Sequence, residues 1–130
     1  MLTLPLDKFA INYIRHASPA MRDDLQEIID MMRLIAPEAE LVSDLGIPYF
    51  EQNSNLLYGV AARADHLCVY FSDKKISYPF LNRLSHVQFG DNCLIIHRLE
   101  DVNLNVLAEL FGQLKVHFVM NNRDRSVSIQ

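Results

Sequence analysis

Three strand-like runs joined by short turns constrain the fold of this chain more than any other feature. The runs occupy residues 46–50, 56–62 and 66–71. Connections this short join antiparallel neighbours, because parallel strands need a crossover of about a dozen residues or more. The pattern therefore predicts an antiparallel meander, and an alternating polar and apolar run at 40–45 precedes it.

Helical patterns flank these strands. In the clearest one, apolar residues recur at alternating spacings of four and three, at Met21, Leu25, Ile28, Met32 and Ile35. This spacing is typical of an amphipathic helix with one core-facing side. Ser18 and Pro19 are suited to open the helix, and Pro37 is suited to end it.

Shorter signals complete the order of elements. A first helix begins near Asp7, a short helix opens at Pro79, and a final helix takes Asp101 as its cap. A second hairpin joins residues 87–89 to 93–98 through a Gly-Asp-Asn turn. The order predicts an α+β fold, in which a curved antiparallel sheet (meander plus hairpin) packs against N- and C-terminal helices.

The length of 130 residues predicts one domain spanning the whole chain. Its core covers about residues 7–118, and 121–130 form a polar tail. Within that tail, residues 126–129 alternate and predict weak pairing with a sheet edge. A free edge also accepts a strand of a second copy, so a homodimer is a candidate assembly.

Composition and motifs exclude several classes of function. A net charge of −4 argues against a nucleic-acid partner, whose binding depends on clustered Lys and Arg. No apolar run approaches the ~20 residues that span a bilayer, and no signal-peptide pattern opens the chain, so we predict a cytoplasmic protein with no membrane partner. Because the sequence has no nucleophile elbow, phosphate-binding loop or catalytic Cys signature, we expect a protein that is not an enzyme.

One acidic pattern suggests a metal site. Asp23, Glu27 and Asp30 are spaced by four and three residues, which places them on one helical face opposite the apolar one. A row of carboxylates on a helix is a candidate for weak Fe²⁺ binding. The alternative, a solvated acidic face that complements the helix dipole, stays open.

Aromatic residues suggest a second kind of site. The hypothesis is a ligand pocket between sheet and helix, lined by Tyr49, Tyr58, Tyr70, Tyr78 and His97. Its ligand would be a small molecule or a peptide. The alternative is that these side chains belong to the core, since strands bury aromatic residues.

Two short segments carry a family resemblance. The run Ala36-Pro37-Glu38-Ala39-Glu40 ends the clearest helix, and Gly46-Ile47-Pro48-Tyr49-Phe50 follows it closely. With the meander and the run 98–102 at the start of the last helix, about residues 7–118 resemble the YdhG-like family, domain of unknown function 1801. The resemblance implies a bacterial α+β domain of mostly unassigned function. Some similar proteins are described as frataxin-like iron chaperones, and the resemblance carries no ligand residues over to this chain.

Overall fold

The computed structural model describes residues 5–72, 74–90 and 92–129, with side chains for 8–72, 75–90 and 92–120. The α-helices are α1 (Pro5–His16), α2 (Arg22–Ile35), α3 (Lys74–Ser77) and α4 (Leu104–Ile129). The strands are β1 (Glu40–Asp44), β2 (Ile47–Gln52), β3 (Asn55–Ala62), β4 (Leu67–Phe71), β5 (Val87–Phe89) and β6 (Cys93–Ile96). Single 3₁₀ turns occupy Pro19–Met21, Tyr78–Phe80 and Leu99–Asp101.

The strands form one six-stranded antiparallel sheet in the order β1-β2-β3-β4-β6-β5. The first four strands are the predicted meander, and β5 and β6 are the predicted hairpin. The hairpin joins the meander through β6, which pairs with β4 although about twenty residues separate the two in sequence. The predicted α+β fold with terminal helices is confirmed.

The helices pack on one face of the sheet, which we call the inner face. In the register, Phe50 and Phe71 flank Tyr58 on this face. The centroid of the Tyr58 ring lies 5.2 Å from the centroid of the Phe111 ring in α4. Its hydroxyl donates a hydrogen bond of 2.7 Å to the backbone carbonyl of Met32 in α2. All strand members of the hydrophobic core come from the inner face or from a bulge beside it.

That bulge lies in β3. Phe50 pairs with Tyr58 while Glu51 pairs with Leu56, so Leu57 is the extra residue. Leu57 and Tyr58 both belong to the hydrophobic core cluster, although strict alternation would point neighbouring residues to opposite faces. The opposite side of the sheet, the outer face, carries Tyr49 and Tyr70.

The structure corrects the predicted starts of two helices. The cap of α4 is Asn103 and not Asp101, because the Asn103 side-chain oxygen accepts bonds from the N–H groups of Asn105 and Val106. Asp101 lies in the preceding 3₁₀ turn. The short helix predicted to open at Pro79 is a 3₁₀ helix that begins one residue earlier, at Tyr78, directly after the short α3.

The tail prediction is also wrong for residues 126–129. The structure continues α4 to Ile129, so this segment is helical and is not a strand that pairs with an edge. After Gly112 the helix contains neither Gly nor Pro, the residues that interrupt helices most strongly. The homodimer stays a prediction, without this segment as its contact. Within the described residues, no helix combines the length and apolar character needed to cross a membrane.

Candidate metal centre

Three potential metal ligands meet where β4 and β6 lie side by side at one end of the sheet. Leu67 pairs with Ile96 at the last position of this ladder. The next residues outward are His66 and His97, and alternation places both on the outer face. Asp65 precedes His66 in the turn that enters β4, so the carboxylate reaches the same place.

The three side chains are close enough to share one ion. One ligand atom from each of Asp65, His66 and His97 lies within 4.8 Å of the other two. The imidazole rings are 5.5 Å apart between centroids. The Asp65 carboxylate lies 2.7 Å from Nδ1 of His66. In the described part of the chain, these residues are the group of three His, Cys, Asp or Glu side chains that meets this distance.

Exposure and charge suit this group to binding. The His66 side chain is 26% exposed and the Asp65 side chain 80%, so solvent ions reach the group without a change in the fold. The hydrogen bond with His66 lowers the pKa of Asp65 below its ordinary value, and the nearby ring of His97 acts in the same direction. Asp65 is therefore an anion at neutral pH.

The donor set defines the chemistry. Imidazole nitrogens bind divalent transition ions such as Zn²⁺, Cu²⁺, Ni²⁺ and Fe²⁺, and two His with one carboxylate is a common ligand set for non-haem Fe²⁺. The carboxylate acts in one of two ways, as a direct ligand or as the group that orients His66 through Nδ1 and leaves Nε2 for the ion. Either way, positions on the ion remain open to other ligands.

A guanidinium group extends the site along the outer face. Arg63 directly follows the last residue of β3, and its backbone N–H donates a hydrogen bond of 2.8 Å to the carbonyl of His66. Its side chain donates a hydrogen bond of 3.1 Å to the hydroxyl of Tyr70. This bond, with a weaker contribution from Cys68, raises the pKa of Arg63 above its ordinary value.

Tyr49 covers the middle of the outer face. It lies over Gly59 on the neighbouring strand, and a Cβ added at Gly59 would lie 2.4 Å from a carbon of the Tyr49 ring. Burial is the main cause that raises the pKa of Tyr49 to about 12, and the charges of Asp44 and Tyr70 add to the effect. The residue opposite Tyr49 must therefore be Gly for the ring to lie this close.

The carboxylate row predicted on α2 does not converge in the same way. Asp23, Glu27 and Asp30 are all exposed on this helix. They do not form a group with ligand atoms within 4.8 Å among the described residues. Asp30 accepts a hydrogen bond of 3.0 Å from the Gln26 side chain. Metal binding by this row stays a prediction, with fewer ligands close together than at Asp65, His66 and His97.

The predicted aromatic pocket is divided between different parts of the molecule. Tyr49, Tyr70 and His97 share the outer face, whereas Tyr58 faces the helices. The space between sheet and helix is filled at that point by Tyr58 and Phe111, and the Tyr58 hydroxyl is already bonded to Met32. Tyr78 lies exposed in a 3₁₀ turn after α3. Only part of the predicted set can therefore contact one ligand.

A separate groove lies between the 3₁₀ turn at Tyr78–Phe80 and α4. Its volume is about 480 Å³, and its lining includes Phe80, Arg83, Glu109 and His117. Arg83 and Glu109 form two hydrogen bonds of 2.9 and 2.7 Å with each other across it. The charges of Arg83 and Glu109 are therefore paired with each other, while Lys75 adds a further charged residue to the lining.

Sequence reasoning missed Asp65 and His66. His66 and His97 are 31 positions apart and have none of the short spacings that make a two-His motif. The signal that brings them together is the pairing of β4 with β6, which no local pattern reveals.

The fold and this end of the sheet define an α+β domain whose helices cover one sheet face and whose other face carries the candidate site. A crystal structure of a protein from the DUF1801 family (YdhG) of Bacillus subtilis has this fold. The two are 16% identical, and the match has a TM-score of 0.68 and covers 82% of this chain and 86% of that chain. The resemblance inferred from sequence is thus confirmed at the level of the fold. No protein-family model and no curated protein matches the chain.

Proposed function

We propose that this chain is a non-enzymatic cytoplasmic domain that binds a divalent transition-metal ion, with Fe²⁺ as its cargo, through Asp65, His66 and His97. The observation that carries the proposal is the convergence of the three ligand atoms within 4.8 Å at the edge of the outer face. The site is exposed and offers few protein ligands, which favours weak and exchangeable binding. A protein that delivers an ion needs such binding, whereas a structural site is closed.

Iron is the proposed cargo because two His and one carboxylate with open positions suit Fe²⁺. The same donors bind Zn²⁺ more tightly in the general order of divalent affinities. Iron handling by this site would therefore depend on which ion is available.

The test is an anaerobic calorimetric titration with Fe²⁺, followed by Mg²⁺ and Ca²⁺. We expect saturable binding of Fe²⁺ only, since imidazole nitrogens are poor ligands for the two hard ions. His97→Ala should weaken binding at least about tenfold, the scale on which even indirect changes at a metal site act. His97 is exposed, so this variant should keep the fold, which circular dichroism checks.

The matched control is the triple variant Asp23→Asn/Glu27→Gln/Asp30→Asn on α2. The proposal requires that its affinity for Fe²⁺ stay within about twofold of the unchanged protein. If the triple variant loses binding and His97→Ala keeps it, the ion binds the helix row and the proposal is wrong. If the unchanged protein binds no Fe²⁺, neither location is a ferrous site and the proposal is wrong.

The second candidate function is the binding of a small molecule or peptide by aromatic side chains. The observation in its favour is that Tyr49 and Tyr70 share the outer face with His97. The outer face, rather than a pocket between sheet and helix, is then the surface to test.

A further inference from the structure

The side chain of Arg63 is bonded to a neutral partner on the outer face. Its guanidinium donates a hydrogen bond of 3.1 Å to the Tyr70 hydroxyl. By contrast, Arg83 is paired with Glu109 and Arg98 with Glu100. Among the residues with described side chains, no carboxylate forms an ion pair with Arg63. The hydrogen bond to Tyr70 therefore orients the charge of Arg63, and no described carboxylate neutralises it in an ion pair.

The guanidinium lies near the candidate metal centre. His66, Cys68 and Tyr70 follow one another at every second position, so they point to the same face. Side chains two positions apart on a strand are separated by about 7 Å. The backbone of Arg63 is bonded to that of His66, and its guanidinium is bonded to the hydroxyl of Tyr70, two such steps along β4. Its charge therefore lies within roughly two such steps of His66. A small molecule with two anionic ends can span this interval.

The net charge of the occupied site predicts that this molecule is an anion. A divalent ion and Arg63 together carry three positive charges, against the single negative charge of Asp65. Three protein ligands at most leave other positions on the ion open, and carboxylate oxygens fill such positions on Fe²⁺. Arg binds a second carboxylate through two parallel hydrogen bonds.

We infer that the metal ion at Asp65, His66 and His97 is bound together with a small dicarboxylate, which places one carboxylate on the ion and the other on Arg63. This inference rests on the proposed function and names the co-ligand of the same site. No bond is made or broken in the ligand. Its role is to complete the coordination of the ion and to lower the net charge of the site.

The experiment measures the dissociation constant of Fe²⁺ anaerobically, with and without succinate, and corrects free Fe²⁺ for its complex with succinate. Acetate at equal carboxylate concentration and inorganic phosphate serve as comparison anions. We expect succinate to tighten Fe²⁺ binding about two- to fivefold, the size of effect that an exposed Arg–carboxylate pair supplies. In Arg63→Gln the effect of succinate should fall to that of acetate, because only the carboxylate on the ion is still bound, and Arg63→Lys should keep part of the difference.

Each outcome decides one question. An equal effect of succinate in the unchanged protein and in Arg63→Gln, or no effect in either, overturns the inference while leaving the metal site intact. A phosphate effect as large as that of succinate overturns the choice of a dicarboxylate. Absence of Fe²⁺ binding under all conditions overturns the proposed function and this inference together.

Discussion

Neighbouring residues of the same strands have different roles on the two faces of the sheet. On the inner face, Phe50, Tyr58 and Phe71 are at most 1% exposed and pack under the helices. On the outer face, Tyr70 and His66 remain partly exposed and hold hydrogen bonds to Arg63 and Asp65. The Tyr58 hydroxyl is satisfied inside the protein, whereas the polar side chains of Tyr70 and His66 also remain accessible to solvent.

The tyrosines make the contrast clear. The Tyr58 hydroxyl donates to a helix carbonyl and lies in the core, so it serves the packing of α2 on the sheet. The Tyr70 hydroxyl holds a charged side chain at the surface. An aromatic residue in a strand therefore says little about function until the register assigns it to a face. The contrast can be tested by matched substitutions.

The largest difference is expected between Phe71→Ala and Tyr70→Ala. Phe71 is buried, and its truncation should lower the free energy of unfolding by about 3–5 kcal/mol. Tyr70 is half-exposed, and its loss should cost about 1 kcal/mol. Urea unfolding followed by circular dichroism measures both. Similar costs for the two would mean that the outer face is also covered by packing, contrary to the contrast drawn above.

The strands could be predicted from sequence because their alternation and turn residues are local signals. Register and non-sequential pairing are not local. The bulge at Leu57 changes which residues reach the core, and the pairing of β4 with β6 creates the neighbourhood of His66 and His97. The carboxylates on α2 are the opposite case, because the local spacing correctly placed them on one face of a helix. Exposed side chains that share a helical face do not by themselves converge on one ion. A helix cap such as Asn103 was missed because Asp101, two positions earlier, is an equally good cap residue by type.

A smaller effect is expected at Gly59, where the outer face is packed most tightly. Ala at this position would bring its Cβ within 2.4 Å of the Tyr49 ring. The ring or the strand must shift, at a cost of about 1–3 kcal/mol in unfolding free energy. In a Tyr49→Ala background the same change should cost less than about 1 kcal/mol, because the obstructing ring is gone. Equal costs in both backgrounds would show that the ring is not what limits this position.

The smallest expected effect is the loss of unfolding free energy at high pH, which also differs between the two faces. Burial raises the pKa of Tyr49 to about 12, from an ordinary value of 10.0, and it raises the pKa of Tyr58 further. In the unfolded chain both lose their protons near pH 10, while the folded protein retains them. Their contribution to stability is therefore complete below pH 10 and is lost as the pH rises toward the pKa values of the folded protein.

Urea unfolding from pH 9 to 11.5 measures this loss of stability. In Tyr49→Phe the loss should be smaller by on the order of 1 kcal/mol, after allowance for the partial exposure of Tyr49. Tyr58→Phe should reduce it more, because the inner face excludes water more completely. If Tyr49→Phe removes the larger share, the outer face shields its tyrosine better than the core does, and the division between a closed face and an open one fails at Tyr49.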